Sequence, residues 1–305
     1  MTEQVATGRF ETDRGLTARM TLVMFLLFAL YAGFITILLR LKVAVALVGV
    51  IAGLVLLVQF FLSDKIALWS MNAKVVSREE APQLHAVVDR LVALANMPKP
   101  RVAIAQTDVP NAFATGRSKK ASVVCVTTGL LRRLDEPELE AVLAHEMSHV
   151  AHRDVAVMTI ASFLGIIAGF LTRIFYWTDL FGGDRNGGGI TILVELGLLA
   201  FSLVVYLLSF LLIRALSRYR ELAADRSGAI LIGQPRLLAD ALVKISGAMS
   251  RVPTRDIRAA SHMNAFFFAP AITGKASVAN LFSTHPSLDK RLAQLAKLEA
   301  EMSHR

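Results

Sequence analysis

His145-Glu146-Met147-Ser148-His149 combines residue types and a spacing that can do chemistry. On an α-helix, residues i and i+4 lie one turn apart on one face. Imidazoles at 145 and 149 can therefore reach a single Zn²⁺ at about 2.0–2.1 Å each. Glu146 then stands beside the attacking water, placed to take its proton. That arrangement points to metal-assisted hydrolysis of a peptide bond. A buried helix whose histidines bond only to backbone is the bland alternative. It suits a lone His better than two flanking a glutamate at this spacing.

A catalytic zinc needs a third protein ligand and one open position. His152 lies about 10 Å from His145 along the helix axis, too far to share a metal with both motif histidines. It reads as an outer or surface histidine. Glu221 is the better candidate, in Arg218-Tyr219-Arg220-Glu221-Leu222-Ala223-Ala224-Asp225. Glu221 and Asp225 again stand one turn apart on one face. Glu221 can bind the metal while Asp225 orients a ligand imidazole through its other nitrogen.

The elements that must position these groups are legible nearby. Acids and Pro137 in Asp135-Glu136-Pro137-Glu138 mark a helix start, because proline suits the first turn and carboxylates favour the positive end of the helix dipole. Leu139, Val142, Leu143, Met147 and Val150 then recur at three- and four-residue steps, an apolar face. Residues 80–96 read as a helix. Stretches 101–105 and 121–127 read as strands, with 111–116 a weaker third. Residues 216–232 read as helical and 286–302 as an amphipathic helix. Residues 1–19 are expected to be loosely ordered, 178–189 to form a Gly-rich loop and 251–283 to be irregular.

Composition places this machinery in a membrane. The 305-residue chain is 54% hydrophobic. The apolar excess is concentrated in four segments, 20–39, 43–62, 155–176 and 190–213, each long enough to cross a hydrocarbon core about 30 Å thick. Glu195 alone interrupts the last. The first is too long for a cleaved signal segment and reads as a retained anchor. Net charge is +9, from 33 Lys and Arg against 24 Asp and Glu. Only Arg40, Lys42 and Arg185 fall between spans one and two or three and four, with Arg173 near the far end of span three. The remaining basic residues lie on the catalytic side, which is therefore expected to be cytoplasmic. The basic balance thus reflects topology, and no nucleic-acid partner is expected. Cys125, the single cysteine, sits in an apolar run and reads as a small buried residue. It permits no internal disulfide, consistent with a reducing compartment.

Four motifs taken together are recognisable: Asn111-Ala112-Phe113-Ala114-Thr115-Gly116, His145-Glu146-Met147-Ser148-His149, Arg220-Glu221-Leu222-Ala223-Ala224-Asp225 and Ser283-Thr284-His285-Pro286. Over nearly its whole length the chain resembles the HtpX-type membrane-integral zinc metalloproteases, relatives of the CAAX prenyl proteases. The resemblance implies a gluzincin fold with Zn²⁺ held by His145, His149 and Glu221. It implies endopeptidase activity in membrane-protein quality control, with the active site facing the cytoplasm. It also implies that Asn111, Ala112, Phe113, Ala114 and Thr115 form an exposed edge strand that pairs with substrate, and that His285 stabilises the transition state.

The expectation is thus an α+β, predominantly helical protein: a gluzincin-like zinc-protease domain on a four-helix transmembrane anchor. Residues 1–62 would hold the N-terminal segment and first hairpin, 63–154 the first catalytic part, 155–213 the second hairpin and 214–305 the second catalytic part. One Zn²⁺ per chain, membrane-protein or unfolded polypeptide substrates, the lipid bilayer and a bacterial-type cytoplasmic membrane complete the reading. Glu146 acts as base, and His285 is the best donor to the developing oxyanion, though it precedes Pro286 and could instead cap the last helix. A proteolytically inactive scaffold with a structural metal is the competing reading. It is disfavoured because structural zinc sites are closed and rich in Cys. A transporter built on the four spans and Glu195 is disfavoured by the size of the soluble part.

Overall fold

The computed structural model describes residues 14–40, 45–159, 161, 189–249 and 285–304. Two long helices, α1 (Arg14–Arg40) and α2 (Val45–Ser70), come first. Strand β1 (Ala73–Val75), helix α3 (Pro82–Ala95) and strands β2 (Arg101–Ala105), β3 (Ala112–Gly116) and β4 (Ser122–Thr127) follow. A short helix α4 (Thr128–Leu131) leads into α5 (Glu136–Ala151). Beyond it stand α6 (Gly189–Ile232), α7 (Pro235–Met249) and α8 (Leu288–Ser303). The expectations for 1–13, 162–188 and 250–284 lie outside the described residues, as does the side chain of Glu195; residues 14–19, expected to be loosely ordered, are the first turns of α1.

The four strands form one sheet in the order β1-β2-β4-β3. β2 runs parallel to β4, while β1 and β3 pair antiparallel with β2 and β4. Strand side chains alternate between faces, and both faces here are covered. Val102, Val124 and Val126 face a core with Leu84, Val88 and Leu91 of α3 and Leu139, Val142, Leu143 and Met147 of α5. Ala103, Ala105, Phe113, Val123 and Cys125 face Ala67 of α2 and Met71 just beyond its end. Buried on both sides, β4 is a near-continuous apolar run rather than an alternating one. Strands β2 and β4 were therefore visible in composition, whereas β1 was not anticipated.

Helix α2 departs from expectation. It does not stop where its apolar span ends near residue 62, but continues to Ser70 and roofs the sheet. Among the described residues, two helices are long and apolar enough to cross a membrane, Arg14–Ile37 and Leu199–Ile232, where four such segments were expected. They pack together: Phe34 meets Phe201 with ring centroids 5.6 Å apart, and Val23, Leu27 and Tyr31 bury against Leu216.

Helix α5 begins as its acids and proline predict. Asp135 accepts from the Glu138 N–H at 3.0 Å, and the Glu138 carboxylate accepts from the Asp135 N–H at 3.1 Å, a reciprocal cap. Its end is sharper than the sequence suggested. Arg153 takes a left-handed φ of 56°, which breaks the helix and turns the chain before residue 154 enters the next helical stretch. The junction after α5 is therefore kinked, while that from span four to Glu221 is continuous helix within α6.

Candidate metal centre

Helices α5 and α6 cross directly over the motif histidines. The crossing is close because position 228 is glycine. A Cβ there would lie 2.8 Å from the His145 backbone nitrogen and 2.9 Å from its Cα, closer than real Cβ atoms come. Gly228 is two turns beyond Glu221 on the same face of α6, so this contact fixes how near Glu221 comes to α5.

His145, His149 and Glu221 converge. Their ligand atoms all lie within 4.8 Å of one another. The two Nε2 atoms stand 3.2 Å apart. Glu221 Oε1 is 3.4 Å from His149 Nε2, and Oε2 is 3.8 Å from His145 Nε2. Two donors on one tetrahedral zinc are separated by about 3.3 Å, given bonds near 2.0–2.1 Å. The donor set therefore fits Zn²⁺ in chemistry and in spacing.

The outer nitrogens are held as well. His145 Nδ1 lies 2.8 Å from Asp225 Oδ1, and His149 Nδ1 lies 2.5 Å from Asp154 Oδ2. A carboxylate on Nδ1 fixes the tautomer and aims Nε2 at the metal. Each carboxylate has its own arginine. Arg291 of α8 grips Asp225 with two bonds of 2.7 and 2.6 Å. Arg220 of α6 meets Asp154 at 2.5 Å. Burial pulls the His145 imidazole down to about 4, against the opposing pull of Asp225, so at neutral pH the ring is uncharged and Nε2 is left able to accept a cation.

Glu146 faces the other way, toward the sheet. Its Oε2 accepts the Ala114 N–H at 3.0 Å. Burial is the main cause that pushes its carboxyl up to about 8. Strand β3 is the edge of the sheet, and β4 is its one strand neighbour among the described residues. Thr127 donates its N–H to the Asn111 carbonyl at 2.9 Å, so by antiparallel alternation Ala112 and Ala114 turn their backbone groups away from β4, toward the open edge. The expected edge strand is thus present, but its side chains are less exposed than expected: Asn111, Ala112, Phe113 and Thr115 are buried, because α2 and α5 cover the two faces.

His285 Nδ1 lies 2.9 Å from Glu221 Oε2. It does not cap α8, whose N-cap is Ser287. His152 caps the end of α5 and contacts Ser148 Oγ at 3.1 Å, outside the donor set. Sequence reasoning missed Asp154, Arg220, Arg291 and Gly228. The nearest signal for Arg291 was its place one turn before Leu295 on the buried face of α8, where an arginine needs a buried acid.

Comparison with known proteins decides the family. The model of peptidase family M48 matches residues 78–299. The chain belongs to peptidase family M48. Members are metalloproteases, and this chain is a membrane-bound one. It is 54% identical over 295 residues to Protease HtpX homolog 1 of Streptomyces coelicolor, covering 97% of this chain and 96% of the relative. It is 56% identical over 297 residues to the Protease HtpX homolog of Moorella thermoacetica, covering 96% and 98%. It is 52% identical over 296 residues to Protease HtpX homolog 2 of Methanosarcina mazei, covering 97% and 99%. Among solved structures, the crystal structure of S. mikatae Ste24p aligns with a TM-score of 0.55 at 18% identity, covering 90% of this chain and 62% of that one. That likeness concerns the fold.

Proposed function

We propose that this M48 protein is a zinc endopeptidase that cleaves membrane-protein or unfolded polypeptide chains at the membrane surface. The observation that carries the reading is the meeting of His145, His149 and Glu221 within 4.8 Å, with Glu146 beside them and an open strand edge adjoining. His145, His149 and Glu221 would hold one Zn²⁺. When bound, the ion supplies Lewis acidity to the reacting carbonyl and the attacking water.

The protein's own groups do the rest. An extended peptide adds to the open edge of β3 through the backbone groups of Ala112 and the carbonyl of Ala114, whose N–H is held by Glu146, which gives affinity with little sequence preference. Asn111, Phe113 and Thr115 hold that edge in register. Glu146 takes the proton of the attacking water and returns it to the leaving amine. His285, beside Glu221, is assigned to the charge that develops on the carbonyl oxygen. Asp225 and Asp154 keep the two imidazoles aimed inward.

The anchor is read as four spans, 20–39, 43–62, 155–176 and 190–213, set in a bacterial-type cytoplasmic membrane with the site on the cytoplasmic side. The excess of Lys and Arg on the catalytic side supports this orientation. Residues 63–154 and 214–305 then form one catalytic unit interrupted by the second hairpin, a reading that the packing of α5 against α6 supports. A low-specificity membrane protease of this design suits removal of damaged proteins. Metal analysis of the purified chain, with cleavage of casein measured before and after chelation, tests the proposal. One zinc per chain and chelator-sensitive cleavage are expected. Undiminished cleavage in a zinc-free preparation would overturn it.

A further inference from the structure

The end of α2 has two opposite faces. Asp64, Ala67 and Met71 are turned inward: Asp64 pairs with Arg101 of β2 at 2.5 Å, and the other two bury against the sheet. Leu62, Ile66 and Trp69 are turned outward, at 38%, 43% and 85% exposure. Spaced i, i+4, i+7, they form one stripe. It prolongs the outward stripe of Leu54 and Val58, at 60% and 53% exposure, without a break.

A second element stands beside it. The turn joining β3 to β4 carries Arg117, Lys119 and Lys120. Arg117 reaches the Phe61 carbonyl at 3.5 Å and lies 5.4 Å from the Phe61 ring, so this turn sits where the apolar part of α2 ends. Lys65 is exposed on the same outward side. Asp64, the acid next to this group in α2, is already paired with Arg101. The result is an apolar stripe ending in tryptophan, bordered by four cations.

We propose that the end of α2 and the β3–β4 turn together form a surface for the bilayer interface and its anionic headgroups. Ile66 and Trp69 sit at headgroup level, where tryptophan partitions. Lys65, Arg117, Lys119 and Lys120 meet lipid phosphates, the attraction that basic groups gain beside an anionic leaflet. Because the turn is the end of β3, the surface holds the open edge of that strand at the membrane face. A polypeptide leaving the bilayer then meets the edge directly. The proposal rests on the reading of α2 as a membrane span.

Trp69 and Trp177 are the two tryptophans of the chain, so Trp177→Phe leaves Trp69 as the sole probe. The full chain is placed in phosphatidylcholine nanodiscs, with or without phosphatidylglycerol. The lipids are brominated either near the headgroup or deep in the acyl chain. Trp69 emission is expected to be quenched more by shallow than by deep bromines. Phosphatidylglycerol should increase the shallow quenching, and Lys119→Glu/Lys120→Glu should abolish that increase. The same double variant should slow cleavage of a membrane-tethered peptide and leave casein cleavage unchanged.

Val58→Trp with Trp69→Phe and Trp177→Phe tests the underlying span. If Val58→Trp is quenched by deep bromines while Trp69 escapes both labels, the interface proposal falls and the span stands. If Val58→Trp escapes deep bromines, the span reading falls. Deeper quenching of Trp69 than expected, indifference to phosphatidylglycerol, or shielding of Trp69 by a second copy in the same disc would each overturn the proposal.

Discussion

Ala114 donates its backbone N–H to Glu146 Oε2 at 3.0 Å. The proposed base is thus anchored to the strand on which substrate would lie. A shift of β3 moves the carboxylate with it, so strand position and proton transfer are mechanically tied.

Glu146→Gln preserves an oxygen that can accept the Ala114 N–H but removes the base. The variant is expected to fold, keep stoichiometric zinc and lose cleavage by about 10²–10⁴-fold, the usual scale for a positioned base. Zinc content and casein turnover on one preparation check this. Loss of zinc would make Glu146 a ligand and the assignment wrong.

Asp154→Asn and Asp225→Asn should each weaken zinc binding by about 10–100-fold, as expected when an imidazole loses its orienting carboxylate. Chelator competition against wild type measures this directly. Unchanged affinity in both variants would show that Nδ1 orientation is set elsewhere.

Arg291 and Asp225 are almost fully buried, with side chains 1% and 0% exposed. Arg291→Leu leaves an uncompensated carboxylate and should cost about 3–5 kcal/mol of stability. Arg291→Leu/Asp225→Leu should recover much of that loss while zinc affinity stays low, since the double variant removes the charge imbalance but not the need to orient His145. Denaturation midpoints and chelator titration separate the two effects. A double variant no more stable than Arg291→Leu would refute the pairing argument.

Gly228→Ala adds a methyl where His145 backbone atoms lie 2.8–2.9 Å away. The two helices must part, drawing Glu221 from the histidines, so zinc affinity should fall together with stability. Gly247→Ala is the control: its Cβ meets nothing within 4 Å, and helix propensity alone predicts a gain of about 0.8–1.0 kcal/mol. Equal zinc affinities for the two variants would argue against close crossing as the device that sets the site.

Burial pushes the Cys125 thiol up to about 12. Thiolate is the reactive form, so the native protein should resist alkylation at pH 8 and react only once unfolded. Labelling of this single cysteine with and without denaturant reads it out. Rapid labelling of native protein would mean that α2 does not seal that face of the sheet.

The sequence disclosed what depends on local spacing. The histidine pair, the Glu221–Asp225 step and the capped start of α5 all follow from helical periodicity. Strands β2 and β4 show in their β-branched residues, while β1 does not. What it hid depends on how distant segments meet. Asp154 looked like a junction residue, because only the left-handed turn at Arg153 swings it back onto His149. Arg291 looked like one charge on an amphipathic helix, because its partner lies on α6, far away in sequence. The extension of α2 over the sheet was hidden by Asp64 and Lys65, whose charges suggest the end of a span rather than the continuation of a helix.

The order in which the site's parts occur along the chain sets a timetable. His145, Glu146 and His149 are translated first, then Glu221, and His285 and Arg291 last. A nascent chain that has emerged only as far as α5 carries Glu146 and the two imidazoles but lacks Glu221 and Arg291, the arginine that grips Asp225. On the proposed site assignment, the nascent chain is expected to stay inactive until the residues beyond α6 have been made.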